Sequence, residues 1–242
     1  MPASSPAAKP SPDAAYAIAR AVLETGTWYR ALPAELRHWL LQNAVARPLQ
    51  ADERLFSRGD PPCGLYAVVQ GAVRVTGVSA EGKEALLTLM EPPHWFGEIA
   101  LFDGLPRTHD ALADTCSLVL QVPQAALHRL LADQPQRWHD FGMLLAHKLR
   151  LAFVAMEETA LLPAAVRLAR RLLLIAAGYG ERPPGERRLI AVRQEQLAMM
   201  LSLSRQTTNQ ILRDLEERGI AHLTRGEIEI LNFEQLRAAA TQ

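Results

Sequence analysis

Residues 194–219 read QEQLAMMLSLSRQTTNQILRDLEERG, and this segment carries the strongest structural signal in the chain. Apolar residues recur at helical spacing in both of its halves. The pattern predicts a short helix over Gln194–Leu201, a turn at Ser202-Leu203 and a second helix over Ser204–Arg218. Two helices joined by a turn of this length form a helix-turn-helix arrangement.

The second helix presents polar side chains of the types that read base edges. Arginine offers a two-pronged donor to guanine, and glutamine or asparagine can pair with adenine. Ser204 can cap the helix, which leaves other amides free to meet a phosphate. A polar helix face is also typical of ordinary solvated surface. The predicted DNA-contacting residues of this helix are Ser204, Arg205, Gln206, Thr207, Asn209 and Gln210.

A hairpin is predicted directly after this helix pair. Gly219-Ile220 ends the second helix, and residues 222–230, HLTRGEIEI, have the pattern of a tight β-hairpin. A helix-turn-helix followed by such a wing is a more specific combination than the helix pair alone. Arg225 at the hairpin tip is predicted to contact backbone phosphate, a contact that positions a protein without reading sequence.

Residues 194–198 and 204–216 resemble the DNA-binding signature of the CRP/FNR family of regulators. The resemblance implies that Arg205, Gln206 and Gln210 reach base edges in the major groove. The family's cyclic-AMP receptor branch has Glu and Arg at the positions of Gln206 and Gln210, so the operator is expected to differ. Arg193 stands where many relatives have a Ser or Thr cap, and it adds a cation facing phosphate.

The N-terminal half has a different pattern, with short apolar runs separated by turn signals between Val45 and Val122. This spacing predicts an antiparallel sandwich or barrel. With the resemblance, the expected fold is α+β: a cyclic-nucleotide-binding β-barrel of the double-stranded β-helix or jelly-roll type, a long dimerisation helix and a C-terminal winged helix-turn-helix. The expected boundaries are a disordered tail at 1–13, a sensor domain at 14–134, the dimerisation helix at 135–162 and the DNA-binding domain at 163–242.

The predicted long helix, Pro135 to Leu162, has a stripe of residues at alternating steps of four and three, which is the spacing of a coiled-coil seam. The stripe therefore predicts a parallel dimer. Packing of the helix on its own domain is the alternative, and Lys148 and Thr159 within the stripe weigh toward it. The stripe consists of Phe141, Leu145, Lys148, Ala152, Ala155, Thr159 and Leu162.

A candidate anion pocket lies at residues 96–108, where Gly97 permits close backbone approach and Arg107 supplies a cation. Glu98 would repel a phosphate but could accept from a ribose hydroxyl; a structural Glu98–Arg107 ion pair explains the same residues equally well. The segment resembles the phosphate-binding cassette of cyclic-nucleotide-binding barrels. That resemblance implies ligand contacts from Gly97, Glu98, Ile99, Ala100, Arg107 and Thr108. Ala152 and Phe153 stand where the cyclic-AMP receptor branch supplies polar groups to the base.

Composition excludes several other classes of protein. Cys63 and Cys116 are the only cysteines, too few for a disulfide framework or an iron-sulfur site, and a reducing cytoplasm fits them. The sequence shows no targeting signal and no membrane span. The histidines lack metal-ligand spacing, and no set of nucleophile, base and orienting group is visible, so neither a metal site nor an enzyme is expected.

The expected function is a ligand-responsive transcription regulator. Cyclic AMP is the first ligand candidate and cyclic di-GMP the second; neither metal nor covalent cofactor is expected. Expected partners are near-palindromic double-stranded DNA, a second copy of the chain and RNA polymerase, with no membrane. The alternatives are a constitutive DNA-binding regulator with a vestigial pocket, a redox-responsive regulator acting through Cys63, and a cyclic-nucleotide-binding module that does not bind DNA.

Overall fold

The computed structural model describes residues 12–82, 84–181 and 189–241. The tail expected at 1–13 lies outside these ranges except for Pro12 and Asp13, which begin the first helix. Within the described ranges, no helix combines the length and the apolar character needed to cross a lipid bilayer.

The N-terminal domain is a sandwich of two four-stranded sheets. Its eight strands are β1 (Val45–Leu49), β2 (Arg54–Phe56), β3 (Gly64–Gln70), β4 (Val73–Val78), β5 (Glu84–Met90), β6 (Trp95–Phe96), β7 (Asp110–Ala113) and β8 (Ser117–Pro123). The sheet orders are β1-β8-β3-β6 and β2-β7-β4-β5, and the strand pairings are antiparallel. The predicted antiparallel barrel is confirmed. The apolar runs of the sequence at 65–69, 72–75, 85–90 and 117–122 correspond to β3, β4, β5 and β8. The pattern missed β1, β2, β6 and β7, which are short or largely polar.

Strand β3 organises the packing of this domain because both of its faces are buried. Tyr66 and Val68 belong to the core between the sheets, whereas Leu65 and Ala67 pack under the helices that cover the first sheet. Successive strand residues point to opposite faces, so one strand serves both cores. The helices of this domain are α1 (Pro12–Leu23), α2 (Thr27–Ala31), α3 (Ala34–Gln42), α4 (Ile99–Asp103) and α5 (Gln124–Asp133).

The long helix α6 runs from Trp138 to Leu161, after a single 3-10 turn at Pro135–Arg137. The seam predicted on it is wrong in its N-terminal half. Phe141 is buried in the core of its own domain, and Lys148 binds its own domain's Glu98. Among the apolar residues that stay exposed on this helix, Leu149, Phe153 and Met156 lie one position further round and are 54%, 61% and 66% exposed. Both stripes have the same spacing, so spacing alone did not distinguish them.

The C-terminal domain has its own core and a three-stranded sheet in the order β10-β11-β9. Leu172, Leu197, Leu212 and Ile228 lie at the centre of that core. The predicted winged helix-turn-helix is confirmed, and a C-terminal helix that the sequence pattern had not indicated packs onto it. The elements are α7 (Ala164–Ala176), β9 (Leu189–Ile190), α8 (Gln194–Leu201), α9 (Arg205–Glu217), β10 (Ala221–Thr224), β11 (Glu227–Ile230) and α10 (Phe233–Ala239).

Candidate ligand pocket and DNA-binding surface

A cavity of about 310 Å³ lies where the barrel meets the long helix. The six residues predicted to bind ligand, Gly97, Glu98, Ile99, Ala100, Arg107 and Thr108, all line it. Most of the remaining wall is apolar and comes from β4, β5 and α6. Val75, Leu87, Met90, Leu151 and Ala152 are the main apolar contributors. The structure therefore brings the predicted set together around one cavity.

Gly97 permits the close approach that shapes the cavity wall. Its φ of +98° lies in the left-handed region, which side chains disfavour. A Cβ at this position would lie 2.8 Å from the Gly64 carbonyl oxygen and 3.0 Å from Arg107 Nη1. Neither backbone conformation nor space admits a side chain here.

Arg107 is a buried cation, 5% exposed, fixed to the backbone of the cavity wall. Its Nη1 donates to the Gly97 carbonyl at 3.0 Å, and its Nη2 donates to the Gly64 carbonyl at 2.6 Å. The guanidinium also lies 4.5 Å from the centre of the Phe56 ring. Its Nε has no hydrogen-bond partner among the described residues. The charge is thus positioned by neutral groups, and no carboxylate of the described residues pairs with it.

Glu98 pairs with Lys148 and not with Arg107. The carboxylate is 3% exposed, and Lys148 Nζ lies 2.8 Å from its Oε2 and 2.5 Å from the Trp95 carbonyl oxygen. Lys148 lines the cavity, whereas the sequence analysis assigned it to the dimer seam. The available signal was a lone lysine in an apolar stripe facing a barrel that contains a buried carboxylate.

Thr108 and the long helix complete the pocket. Thr108 Oγ1 shares a hydrogen bond of 2.9 Å with His109 Nδ1, and burial, followed by the positive charge of Arg58, lowers the pKa of His109. Ala152 lines the cavity, but Phe153 faces outward and is 61% exposed. At residues 152 and 153, the long helix therefore presents no polar side chain to the cavity.

The recognition helix α9 is capped as predicted: Ser204 Oγ accepts a 3.0 Å hydrogen bond from the Thr207 amide. Arg205 is 74% exposed and forms a surface ion pair with Glu195, a contact that DNA can replace. The apolar residues of this helix face the domain core. The predicted DNA-contacting residues of α9 that are exposed on one surface are Arg205, Gln206, Thr207, Asn209 and Gln210.

The wing lies beside this helix. Strands β10 and β11 pair from Ala221↔Ile230 to Thr224↔Glu227, so Arg225 and Gly226 form the tip of the hairpin. Gly226 has a φ of +92°, which a tight turn requires. Arg225 is exposed at this tip, where it was predicted to contact phosphate.

Arg193 contacts the sensor domain through Asp114. Its guanidinium lies 3.1 Å from Asp114 Oδ1 of the barrel, and Gln196 Nε2 donates to the same oxygen at 2.8 Å. Arg74 also approaches this carboxylate, at 3.6 Å. The contact joins the DNA-binding domain to the sensor domain. Whether Arg193 also contacts phosphate stays a prediction.

The two cysteines lie in different environments. Cys63 Sγ lies 2.9 Å from the Tyr66 hydroxyl and 3.3 Å from Arg107 Nη2, whereas Cys116 is exposed. Burial raises the pKa of the Tyr66 hydroxyl. Across the described ranges, no three histidine, cysteine or acidic side chains are grouped as metal ligands.

A barrel with a cation-bearing cavity, joined by a long helix to a winged helix-turn-helix, defines a class of ligand-responsive transcription regulators. Residues 46–134 match the cyclic nucleotide-binding domain family, and residues 166–239 match the Crp-like helix-turn-helix domain. The CRP-like cAMP-activated global transcriptional regulator of Mycobacterium tuberculosis is 30% identical over 187 residues, 77% of this chain and 84% of the relative. The cyclic AMP receptor protein of Thermus thermophilus is 30% identical over 177 residues, 73% and 79% of the two chains.

Solved structures show the same fold. FixK2 from Bradyrhizobium japonicum superposes with a TM-score of 0.73 at 22% identity, covering 82% of this chain and 98% of that one. CLP from Xanthomonas campestris, described as a c-di-GMP responsive global regulator, superposes with a TM-score of 0.65 at 21% identity, covering 83% and 100%. The chain belongs to the CRP/FNR family of transcription regulators, which is a family of regulators and not of enzymes.

Proposed function

We propose that the chain acts in the cytoplasm as a homodimer on near-palindromic operator DNA, and that a cyclic nucleotide in the barrel cavity controls this binding. The observation that carries the proposal is Arg107, a buried guanidinium held by two backbone carbonyls in the cavity wall. A cyclic phosphate would complete its coordination, with Thr108 as a second donor. RNA polymerase is the further partner proposed for the DNA-bound dimer.

Cyclic AMP is the first ligand candidate. Two relatives that are 30% identical are named for it. The cavity volume of about 310 Å³ lies at the small end of the range of roughly 300–1,000 Å³ for ligand pockets, which suits a mononucleotide. Glu98 would accept from a ribose hydroxyl through Oε1, since Lys148 contacts Oε2. Cyclic di-GMP is the second candidate, because the regulator CLP with the same fold is described as responsive to it.

The proposed dimer forms through the long helices. Leu149, Phe153 and Met156 are more than half exposed at steps of four and three, the spacing of a parallel two-helix seam. Such a dimer would place its recognition helices about 34 Å apart, one turn of DNA, for consecutive major grooves. Its binding to DNA should weaken steeply as salt increases.

Calorimetric titration with cyclic AMP and with cyclic di-GMP tests which ligand the chain binds. A mobility-shift assay of operator DNA with and without that ligand tests whether the ligand controls DNA binding. Binding that is lost in Arg107→Ala and Glu98→Ala, but retained in Arg129→Ala on the surface of α5, supports the proposal. Operator binding without binding of either ligand would favour a constitutive regulator with a vestigial pocket. Failure to bind any DNA would contradict the whole proposal.

A redox-responsive regulator is the second candidate function. It is favoured by the position of Cys63, whose sulfur lies 3.3 Å from Arg107 Nη2 and would transmit oxidation to the anion site. Operator binding that changes with peroxide in the native chain, and not in Cys63→Ser, would support this alternative. Insensitivity of the native chain to peroxide would eliminate it.

A further inference from the structure

The ligand cavity is not built by the sensor domain alone. Three of its lining residues come from the segment that begins the DNA-binding domain: Arg171 and Leu174 on α7, and Tyr179 in the turn that follows. This segment reaches back over the barrel and closes one side of the cavity. A ligand seated there would contact both domains of the same chain.

Tyr179 has an unusual backbone conformation in this wall. Its φ of +55° lies in the left-handed region, where a bulky residue is strained and persists only when its surroundings enforce it. The surroundings do so: the Tyr179 carbonyl oxygen lies 2.8 Å from His147 Nε2, and the ring lies edge-on to His94 at 6.1 Å. Residues held in this way are concentrated at ligand sites.

The hydroxyl of Tyr179 is buried without a hydrogen-bond partner among the residues that the structure describes. The residue is 7% exposed, and among the described residues no atom forms a hydrogen bond with this buried oxygen. Buried hydroxyls are nearly always paired, so an unpaired one next to a cavity points to a group that the ligand supplies. A tyrosine hydroxyl can donate or accept.

Arg171 is a second polar group of this segment in the cavity wall. It is half-buried in the cavity wall, and its guanidinium forms neither an ion pair nor a hydrogen bond with any described residue. The adjacent Arg170 differs, since it pairs with Glu158 and donates to the Ala240 carbonyl. A guanidinium only donates hydrogen bonds, so Arg171 is available to donate to acceptor atoms of a ligand in the cavity.

We infer that Arg171 and Tyr179 bind the base of a cyclic purine nucleotide, so that the DNA-binding domain itself recognises the ligand. This inference rests on the proposed function and adds the base-recognising residues to it. Apart from Lys148, which pairs with Glu98, the long helix contributes only the apolar residues Leu151, Ala152 and Ala155 to the cavity wall. A purine carries the acceptor N7 beside an exocyclic group; Arg171 donates to N7, and the tyrosine hydroxyl pairs with either an amino group or a carbonyl.

Titration of the full-length chain with cyclic AMP, cyclic di-GMP and the pyrimidine nucleotide cyclic CMP tests the inference. The native chain should bind a purine nucleotide at least about tenfold more tightly than cyclic CMP, the factor expected for one charge-assisted hydrogen bond. Arg171→Met should reduce that ratio to near one. Tyr179→Phe, which keeps the ring, should weaken purine binding about fivefold.

Two matched variants control for indirect effects. Tyr16→Phe removes a hydroxyl that is bonded to the Ala44 carbonyl, far from the cavity, and Arg129→Met removes an exposed cation of α5; both should keep native affinity and selectivity. Native affinity in Arg171→Met and Tyr179→Phe, with a folded protein confirmed by thermal unfolding, would overturn the inference and leave the proposed function intact. Absence of nucleotide binding by the native chain would overturn both.

Discussion

Lys148 of the long helix and Glu98 of the barrel form an ion pair of 2.8 Å inside the ligand cavity, with side chains that are 21% and 4% exposed. The pair joins the helix proposed for dimerisation to the segment that would bind phosphate. Any ligand that hydrogen-bonds to Glu98 must share it with Lys148. The position of the long helix and the state of the pocket are therefore physically linked.

Removing Lys148 alone should destabilise the fold. In Lys148→Met the buried Glu98 carboxylate loses its counter-charge, and breaking a buried pair in this way costs about 3 kcal/mol. Urea unfolding measures the change. Arg20→Met is the control, because it breaks an exposed pair with Glu24 of similar length, 3.0 Å, worth less than about 0.5 kcal/mol. The double variant Glu98→Gln/Lys148→Met should recover part of the loss; a double variant less stable than Lys148→Met would contradict this account.

Gly97→Ala should lower the free energy of unfolding more than a Gly→Ala change at a position where no atoms lie near the added Cβ. The added Cβ would lie 2.8 Å from the Gly64 carbonyl oxygen, whereas nothing lies within 4 Å at Gly59, which has a similar φ of +88°. Gly59→Ala should cost about 1 kcal/mol from the backbone conformation alone, and Gly97→Ala clearly more. The free energy of unfolding of each variant is the measurement. Equal losses would show that the close approach at Gly97 is unimportant.

Asp114→Asn should raise the DNA affinity of the ligand-free chain. The carboxylate holds Arg193 and Gln196 of the DNA-binding domain, and its neutralisation weakens this contact and frees a cation that is predicted to face phosphate. An increase of about threefold is expected from the loss of one partly exposed charged contact. Fluorescence anisotropy with operator DNA measures it.

Asp52→Asn is the matched control for this experiment. Asp52 also pairs with Arg74, at 2.8 Å, but none of its ion pairs reaches the DNA-binding domain in the part of the chain that the structure describes. DNA affinity in Asp52→Asn should equal that of the native chain. The same increase in both variants would trace the effect to general charge and remove the contact between domains from the explanation.

Stability should depend on pH through Glu181. Burial is the largest cause that raises its pKa above the ordinary 4.5, while Lys148 and His147 oppose the shift. The folded chain therefore retains this proton to higher pH than the unfolded chain, and the stability that Glu181 contributes falls as pH rises above 4.5. Glu181→Gln should gain stability relative to the native chain over that interval, in thermal unfolding at several pH values. A constant difference at all pH values, or the same profile in Glu234→Gln, would contradict this.

Substitution of two arginines should distinguish a residue that reads the DNA sequence from one that only positions the protein on the DNA backbone. Arg205→Ala, on the recognition helix, should cost about 1–3 kcal/mol and relax specificity at one base pair. Arg225→Ala, at the wing tip, should weaken binding to all sequences uniformly and reduce the salt dependence by about one counterion. Competition binding with operators substituted one base pair at a time distinguishes them. A uniform loss for Arg205→Ala would reassign it to phosphate.

The features that the sequence predicted best are those that depend on residues close together in the chain. Helices α8 and α9 and the hairpin after them are defined by spacing, caps and turns within a few residues, and these elements were found. The cassette residues were brought together for the same reason, since Gly97 to Ala100 are consecutive and Arg107 follows shortly. The short strands β6 and β7 have too few residues to show a period.

Contacts between distant segments were not predictable from pattern. Lys148 and Glu98 are 50 residues apart, and Arg193 and Asp114 are 79 apart. The wrong assignment of Phe141 and Lys148 to the seam has the same origin, because the covered stripe and the exposed stripe of this helix have the same spacing. Only the tertiary arrangement shows which stripe is already covered.

The adjacency of Ala152 and Phe153 on the long helix has a consequence for how the dimer would respond to ligand concentration. Ala152 is part of the pocket wall, and Phe153 belongs to the exposed stripe proposed to meet the partner. With no residue between the two surfaces, occupancy of one pocket would shift the shared helix pair and change the affinity of the other pocket. Ligand uptake would then be cooperative, with a binding curve that is not hyperbolic.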